Sequence, residues 1–267
     1  MPAKKNQNLK PLFGICISYP APGIIERIGG SWDWIWLDGQ HGQIAGYDTM
    51  LSLVRACDFI KRPAFLRVPG HDAGWIGLAL DMSVAAVIVP QIDNVEQARA
   101  MVRLMKFPPL GNRSFGGRRP IDLHGRSYSE NANSEVRLIC QIESPEAVSN
   151  AEEIASVPGV DGLFLGPDDL MLRMGHSMKL PSNRDMLIRA VNAVASACGN
   201  SGKSCICIGV DSHMLTLYRS LGVTHVVAGS DVGFLSLGTK SALGEIEKSE
   251  QSENQEPVSP ETLSRIY

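Results

Sequence analysis

The chain has 267 residues, 44% of them hydrophobic, enough to bury a large core and too apolar for a disordered polymer. Its 25 basic and 28 acidic side chains leave a formal net charge of -3 with no concentrated Lys/Arg block, which argues against a nucleic-acid partner. No apolar window reaches the length of a membrane span, no secretory pattern follows Met1, and the six scattered cysteines lack zinc-site spacing, so the expectation is a cytoplasmic protein with reduced thiols.

In chain order, a short polar opening over residues 1–10 is expected to be a flexible segment. Eight short apolar runs then follow at residues 11–18, 34–39, 64–68, 85–91, 136–143, 162–166, 205–210 and 225–229. They are nearly continuous in Val, Ile, Leu and aromatic residues, as strands covered on both faces are. Segments of helical period separate them. After the fourth run, Asp93 and Glu96 have capping-box spacing, and Val95, Ala98, Val102 and Met105 line one face. Ser144 before Pro145 marks a helix start, Leu187, Val191, Val194 and Cys198 form a further stripe, and a helix from about Ser212 closes at Gly222. Strand alternating with helix, repeated eight times, predicts an α/β fold: a single (β/α)8 TIM barrel over residues 11–239. Two stretches break the rhythm. Residues 108–133 are rich in Gly and Arg and read either as a functional loop or as disorder between elements. Residues 240–267 read as a polar C-terminal tail that frays or docks on the barrel or a neighbouring subunit.

Several apolar runs end in a charged or amide side chain. The second ends at Asp38, with His41 three residues on; the third at Arg67; the fifth at Gln141-Ile-Glu143; and the sixth leads through Gly166 and Pro167 to Asp168 and Asp169. A barrel gathers these remote positions at its C-terminal mouth, where barrel enzymes place their catalytic groups. Glu143 and Asp169 on adjacent strands would repel unless a hard divalent cation joined them, and Mg2+ accepts one or two protein carboxylates while leaving places for substrate oxygens. Arg67 can stabilise an oxyanion or pair with one of the acids, and His41 can accept a proton with Asp38 to orient it. Each also has a plain structural reading: Asp38 and Asp169 as caps, His41 as a solvated loop residue. His71 is a rival base that, with Asp72, fits a helix start better. The Gly229-Ser230-Asp231-Val232-Gly233 stretch fits a tight turn better than a phosphate site, because Asp231 would oppose an anion.

The blocks Trp34-Ile-Trp-Leu-Asp-Gly-Gln-His41, Phe65-Leu-Arg67, Val89-Pro-Gln91, Lys106-Phe-Pro-Pro-Leu-Gly111, Gln141-Ile-Glu143, Val160-Asp-Gly-Leu-Phe-Leu-Gly-Pro-Asp-Asp-Leu170, Gly209-Val-Asp211 and Val227-Ala-Gly-Ser-Asp231 together resemble the HpcH/HpaI family of class II pyruvate aldolases. The resemblance implies a homo-oligomer, usually a hexamer, with Mg2+, Mn2+ or Co2+ held by Glu143 and Asp169. It implies that Gln141 lies beside the metal and the keto oxygen, that Arg67 stabilises the enolate, and that His41 is the acid/base group with Asp38 beside it. It makes Asp81 a second acid supporting that histidine, and Gly166, Pro167 and Asp168 the cradle for the pyruvate carboxylate. The implied reaction cleaves or forms a 4-hydroxy-2-keto acid; oxaloacetate decarboxylation or a related carbon–carbon bond synthesis on the same site, and a non-catalytic keto-acid-binding barrel, are the alternatives. Gln40, where relatives usually have glutamate, the extra carboxylate of Asp168 and the Arg113–His124 loop depart from the family pattern. Arg118, Arg119 and Arg126 could there meet an anionic substrate or simply be solvated.

Overall fold

The computed structural model describes residues 10–44, 46–179, 183–209 and 212–253. Eight parallel strands close into a barrel in sequence order. The first half runs β1 (Leu12–Ile17), α1 (Pro22–Ile28), β2 (Trp34–Asp38), α2 (Tyr47–Phe59), β3 (Ala64–Arg67), α3 (Ala73–Asp81), β4 (Ala86–Val89) and α4 (Val95–Met105). Two helices, α5 (Arg118–His124) and α6 (Tyr128–Glu135), precede β5 (Arg137–Ile142). The second half continues with α7 (Pro145–Ser149), α8 (Ala151–Ser156), β6 (Gly162–Leu165), α9 (Pro167–Arg173), α10 (Arg184–Ser201), β7 (Ser204–Ile208), α11 (Ser212–Leu221), β8 (His225–Ser230) and α12 (Asp231–Glu253). Each predicted run coincides with one strand, β7 starting one residue before its run and β8 ending one residue after its own. Val210, at the end of the seventh run, and Asp211, just after it, lie outside the described residues.

Alternation along each strand divides the core in two. Inward side chains, among them Trp34, Trp36, Phe65, Ile88, Ile139, Phe164, Ile206 and Val227, fill the barrel. Outward ones, such as Ile15, Ile35, Leu66, Val87, Leu138 and Leu163, pack under the helices in the larger cluster. The interior is therefore packed rather than hollow, with the large rings of β2 and β3 packed on one another and on Phe164 of β6. Trp34 lies 4.9 Å from Phe65, and Trp36 meets Phe164 edge-on at 5.1 Å. Space for the Trp34 indole depends on Gly14, since a Cβ there would overlap the ring.

The barrel closes where β1 pairs with β8. The buried Asp231 carboxylate clasps this seam, accepting the backbone N–H of Ser18 (3.0 Å), Tyr19 (2.9 Å) and Val232 (2.8 Å). The turn after the eighth strand is thus a capped βα turn, as its aspartate suggested.

Three sequence expectations change. Residues 108–133 are neither a bare loop nor a gap: they carry α5 and α6, whose Tyr128 and Ala132 pack with Phe107. The helix after Asn94 is capped by Asn94, which accepts the Gln97 N–H at 3.0 Å, and not by the Asp93/Glu96 pair. The polar stretch after Lys240 continues α12 as far as Glu253, leaving residues 254–267 outside the description. Along α12 the apolar Leu235, Leu237, Leu243 and Ile246 are exposed. Among the described residues, no helix is long and apolar enough to cross a membrane.

Candidate active site

Strand polarity brings the side chains after β2, β3, β5 and β6 to one end of the barrel. Asp38 and Arg67 sit opposite each other in the β2–β3 register and are 5% and 6% exposed. Arg67 forks onto the carboxylate, Nε to Oδ1 at 2.9 Å and Nη2 to Oδ2 at 2.7 Å, and its Nη1 reaches Gln141 Oε1 at 3.4 Å. The Gln141 amide then donates to Glu143 Oε2. A continuous chain Asp38–Arg67–Gln141–Glu143 crosses the mouth, and the Trp36 ring supports the guanidinium from below at 4.8 Å.

The two ends of this chain differ electrostatically. Burial opposes ionisation of Asp38, but the Arg67 fork and the His41 and Gln40 N–H groups, both at 3.1 Å, outweigh it and hold the carboxyl below its usual range. Glu143, 1% exposed, is pushed the other way: burial raises its pKa and the Asp169 charge adds to the rise, against the Gln141 and Gln91 hydrogen bonds and the more distant Arg67. Gly166 makes room for this carboxylate, because a Cβ at that position would come within 2.7 Å of Glu143 Oε2. Pro167, Asp168 and Asp169 form the first turn of α9, with Asp168 exposed and Asp169 half-buried.

A buried carboxylate whose ionisation is opposed by burial and by a second carboxylate beside it fits a hard divalent cation. Among the described residues no group of three or more His, Cys, Asp and Glu side chains could hold a metal. Among those residues the pattern is not a closed zinc-type cage and suits Mg2+, which takes one or two carboxylates and fills its other positions with water and ligand oxygens. Cys16, on the inner wall near Asp38, is no rival nucleophile: burial, with Asp38 adding, pushes its thiol up to about 12.

Three expected relationships differ from the geometry. Asp38 does not orient the His41 ring; both its oxygens are taken by Arg67, and it touches His41 only through the backbone N–H. The His41 side chain is exposed at the rim. Asp81 does not meet His41 within this chain. It is the last residue of α3, which runs back to the N-terminal ends of the strands, and its neighbours are Arg113 and Gly117. Arg118 and Arg119 are engaged by Asp122 and Asp58 respectively, and Arg126 lies 5.1 Å over the Phe115 ring. Arg119 also donates to Met82 O at 3.0 Å, just beyond Asp81, on the face opposite the mouth. His71 donates Nε2–H to Pro90 O at 2.8 Å, since a carbonyl can only accept, and Asp72 caps α3 as expected.

Sequence reasoning missed Gln91. Its φ of +57° is a left-handed conformation unusual for a residue with a side chain, and its N–H reaches Glu143 Oε1 at 2.8 Å. The Val89-Pro-Gln91 block was visible, but backbone direction is not written in residue type. The Trp36 platform was likewise hidden inside an apolar run.

A closed eight-stranded parallel barrel with paired acids, an amide and a buried arginine at its C-terminal mouth is the architecture of a barrel enzyme acting on a small oxygen-rich substrate. The chain belongs to the HpcH/HpaI aldolase/citrate lyase family, whose model matches residues 22–236. It is 33% identical over 223 residues to a 4-hydroxy-2-oxovalerate aldolase of Novosphingobium aromaticivorans, covering 82% of this chain and 84% of the relative. To a hydroxypyruvate/pyruvate aldolase of Delftia acidovorans it is 30% identical over 256 residues, covering 94% and 93%. The crystal structure of an HpcH/HpaI aldolase/citrate lyase family protein from Burkholderia cenocepacia superposes with a TM-score of 0.81 at 29% identity, covering 89% of this chain and 95% of that one.

Proposed function

We propose that the protein is a class II, metal-dependent pyruvate aldolase, making and breaking the C3–C4 bond of a 4-hydroxy-2-keto acid to give pyruvate and an aldehyde. The observation that carries this reading is the Asp38–Arg67–Gln141–Glu143 chain, which fixes an oxyanion-stabilising cation next to a carboxylate pair at one barrel mouth. Glu143 and Asp169 would hold the metal, Mg2+ first, with Mn2+ or Co2+ as alternatives. Bound there, it supplies a Lewis acid for the keto group.

The chain's own side chains supply the rest. A guanidinium has five N–H donors, of which Arg67 spends three on Asp38 and Gln141, so two remain for a developing enolate oxygen. Gln141, held between Arg67 and Glu143, lies where the keto oxygen must arrive. Gly166, Pro167 and Asp168 cradle the substrate carboxylate, with the backbone of α9's first turn as donor. His41, free at the rim, takes the C4 hydroxyl proton; the C3–C4 bond then breaks, its electron pair passes to C2–C3 as the enolate, and C3 is reprotonated to give pyruvate. Asp38 acts on this sequence by fixing Arg67. Asp81 can support His41 only if it comes from another copy of the chain, which agrees with a homo-oligomer. The exposed Leu235, Leu243 and Ile246 on α12 support self-association of the same kind. The six free, buried thiols support a cytoplasmic setting.

Pyruvate release from a 4-hydroxy-2-keto acid, measured with EDTA and after adding Mg2+ or Mn2+, tests the reading. Metal-restored turnover is expected. Turnover unaffected by EDTA, or none on any 4-hydroxy-2-keto acid while oxaloacetate is consumed, would overturn it.

A further inference from the structure

Beside the carboxylate pair, two loops and the end of a helix are tied through one residue. Asp93 follows β4, Ser144 follows Glu143 directly, and Arg173 ends α9, one helical turn after Asp169. The Ser144 hydroxyl accepts the Ala147 N–H at 2.9 Å, capping α7, so its own proton goes to Asp93 Oδ1. Arg173 Nη1 lies 3.7 Å from the same oxygen. Asp93 cannot easily swing away. Its N–H donates to Gln97 Oε1 at 2.6 Å and its carbonyl accepts from Asn150 Nδ2 at 2.8 Å. The same β4 loop carries the Gln91 N–H that reaches Glu143.

We propose that the Arg173–Asp93–Ser144 bridge is a positioning device that sets the placement of Asp169 on α9 relative to Glu143 on the β5 loop, and so tunes the grip on a divalent cation. The inference rests on the reading of those two carboxylates as metal ligands. Ser144 anchors the bridge one residue from Glu143, and Arg173 anchors it four residues from Asp169. Asp93 joins the two peptide segments through Ser144 and Arg173, and it is Glu143 and Asp169 on those segments that would hold the cation. Partners of this kind, one step removed from the ligands, govern how rigidly a site is presented.

The bridge also makes a prediction of sign. If Arg173 acted only through its charge, removing it would tighten cation binding, because a like charge would leave the neighbourhood. As part of a brace, its removal weakens binding. The test titrates the full-length protein with Mn2+ alone, without substrate, by calorimetry. Wild type is compared with Arg173→Met, Arg173→Lys, Asp93→Asn, Ser144→Ala, the Asp93→Asn/Arg173→Met double variant and Glu143→Gln. Arg173→Met, Asp93→Asn and Ser144→Ala should each weaken Mn2+ binding by about tenfold. The double variant should be no weaker than its worse single, and Arg173→Lys should stay near wild type. Thermal melts of the metal-free variants control for folding. Equal or tighter binding in Arg173→Met, with Glu143→Gln abolishing binding, overturns the brace alone. Wild-type affinity in Glu143→Gln overturns the metal-ligand reading beneath it.

Discussion

Arg67 is held from three directions: a carboxylate fork, an amide and an indole face. Replacing it by alanine strands Asp38 in a buried position and removes the donors proposed for the enolate, so kcat/KM should fall by roughly two to three orders of magnitude while circular dichroism still reports a barrel. Glu143 gives a stability test in the metal-free protein. Its carboxyl has a raised pKa in the folded state, so its contribution is fully present below the usual glutamate range and is lost as pH rises through the folded value. Metal-free Glu143→Gln should therefore lose less stability than wild type between acid and neutral pH in urea titrations. His225 runs the opposite way. Burial, with Arg137 adding, pushes it from its usual 6.5 to about 4, so its contribution is present above 6.5 and is lost as pH falls toward 4. The sequence located most of the residues at the mouth, because a charged side chain ending an apolar run is visible one strand at a time. Their pairing was not visible. Asp38 was expected to serve His41 and instead serves Arg67, because the strand register sets the two opposite each other.

At the scale of single elements, each of the eight strands could be read from its apolar run, and some helix ends from Ser-Pro or Gly signals, whereas the Asn94 cap of α4 was not. The α5–α6 insertion was not readable, since its Arg- and Gly-rich stretch packs through a few aromatic residues rather than through a regular stripe. Lys106 explains part of how that insertion is attached. Its ammonium is 1% exposed and donates to Asn133 O and Val136 O, at 2.8 and 2.7 Å, and to Asp161 at 2.8 Å. Lys106→Met would take the ammonium donor from both carbonyls and leave Asp161 with only the Leu138 N–H at 2.8 Å and no cation, and should cost about 3–5 kcal/mol in denaturant unfolding. Activity of the fraction still folded should be close to wild type, because this cluster lies at the barrel end away from Glu143. Gly166→Ala is the converse case. Its Cβ would crowd Glu143 Oε2 at the mouth, so cation and keto-acid affinity should drop sharply with little change in melting temperature.

For the whole molecule, closure of the sheet creates the site: none of β2, β3, β5 or β6 alone has more than one or two of its groups. Beyond the closed sheet, α12 carries Leu235, Leu243 and Ile246 outward along a helix that ends at Glu253. Sedimentation should show a self-associated protein at micromolar concentration, and Leu243→Asp combined with Ile246→Asp should shift it toward monomer. A wild-type sedimentation coefficient in the double variant would remove α12 from the contact.

The Asp231 clasp gives the chain a temporal asymmetry. Two of its three backbone donors lie just after the first strand, while the carboxylate that receives them follows the last. During synthesis the growing sheet therefore has two raw edges until almost the entire barrel has left the ribosome, and only then can the first strand be stitched to the eighth. A nascent chain stalled before Asp231 should depend on holding chaperones, whereas one released a few residues later can shut itself.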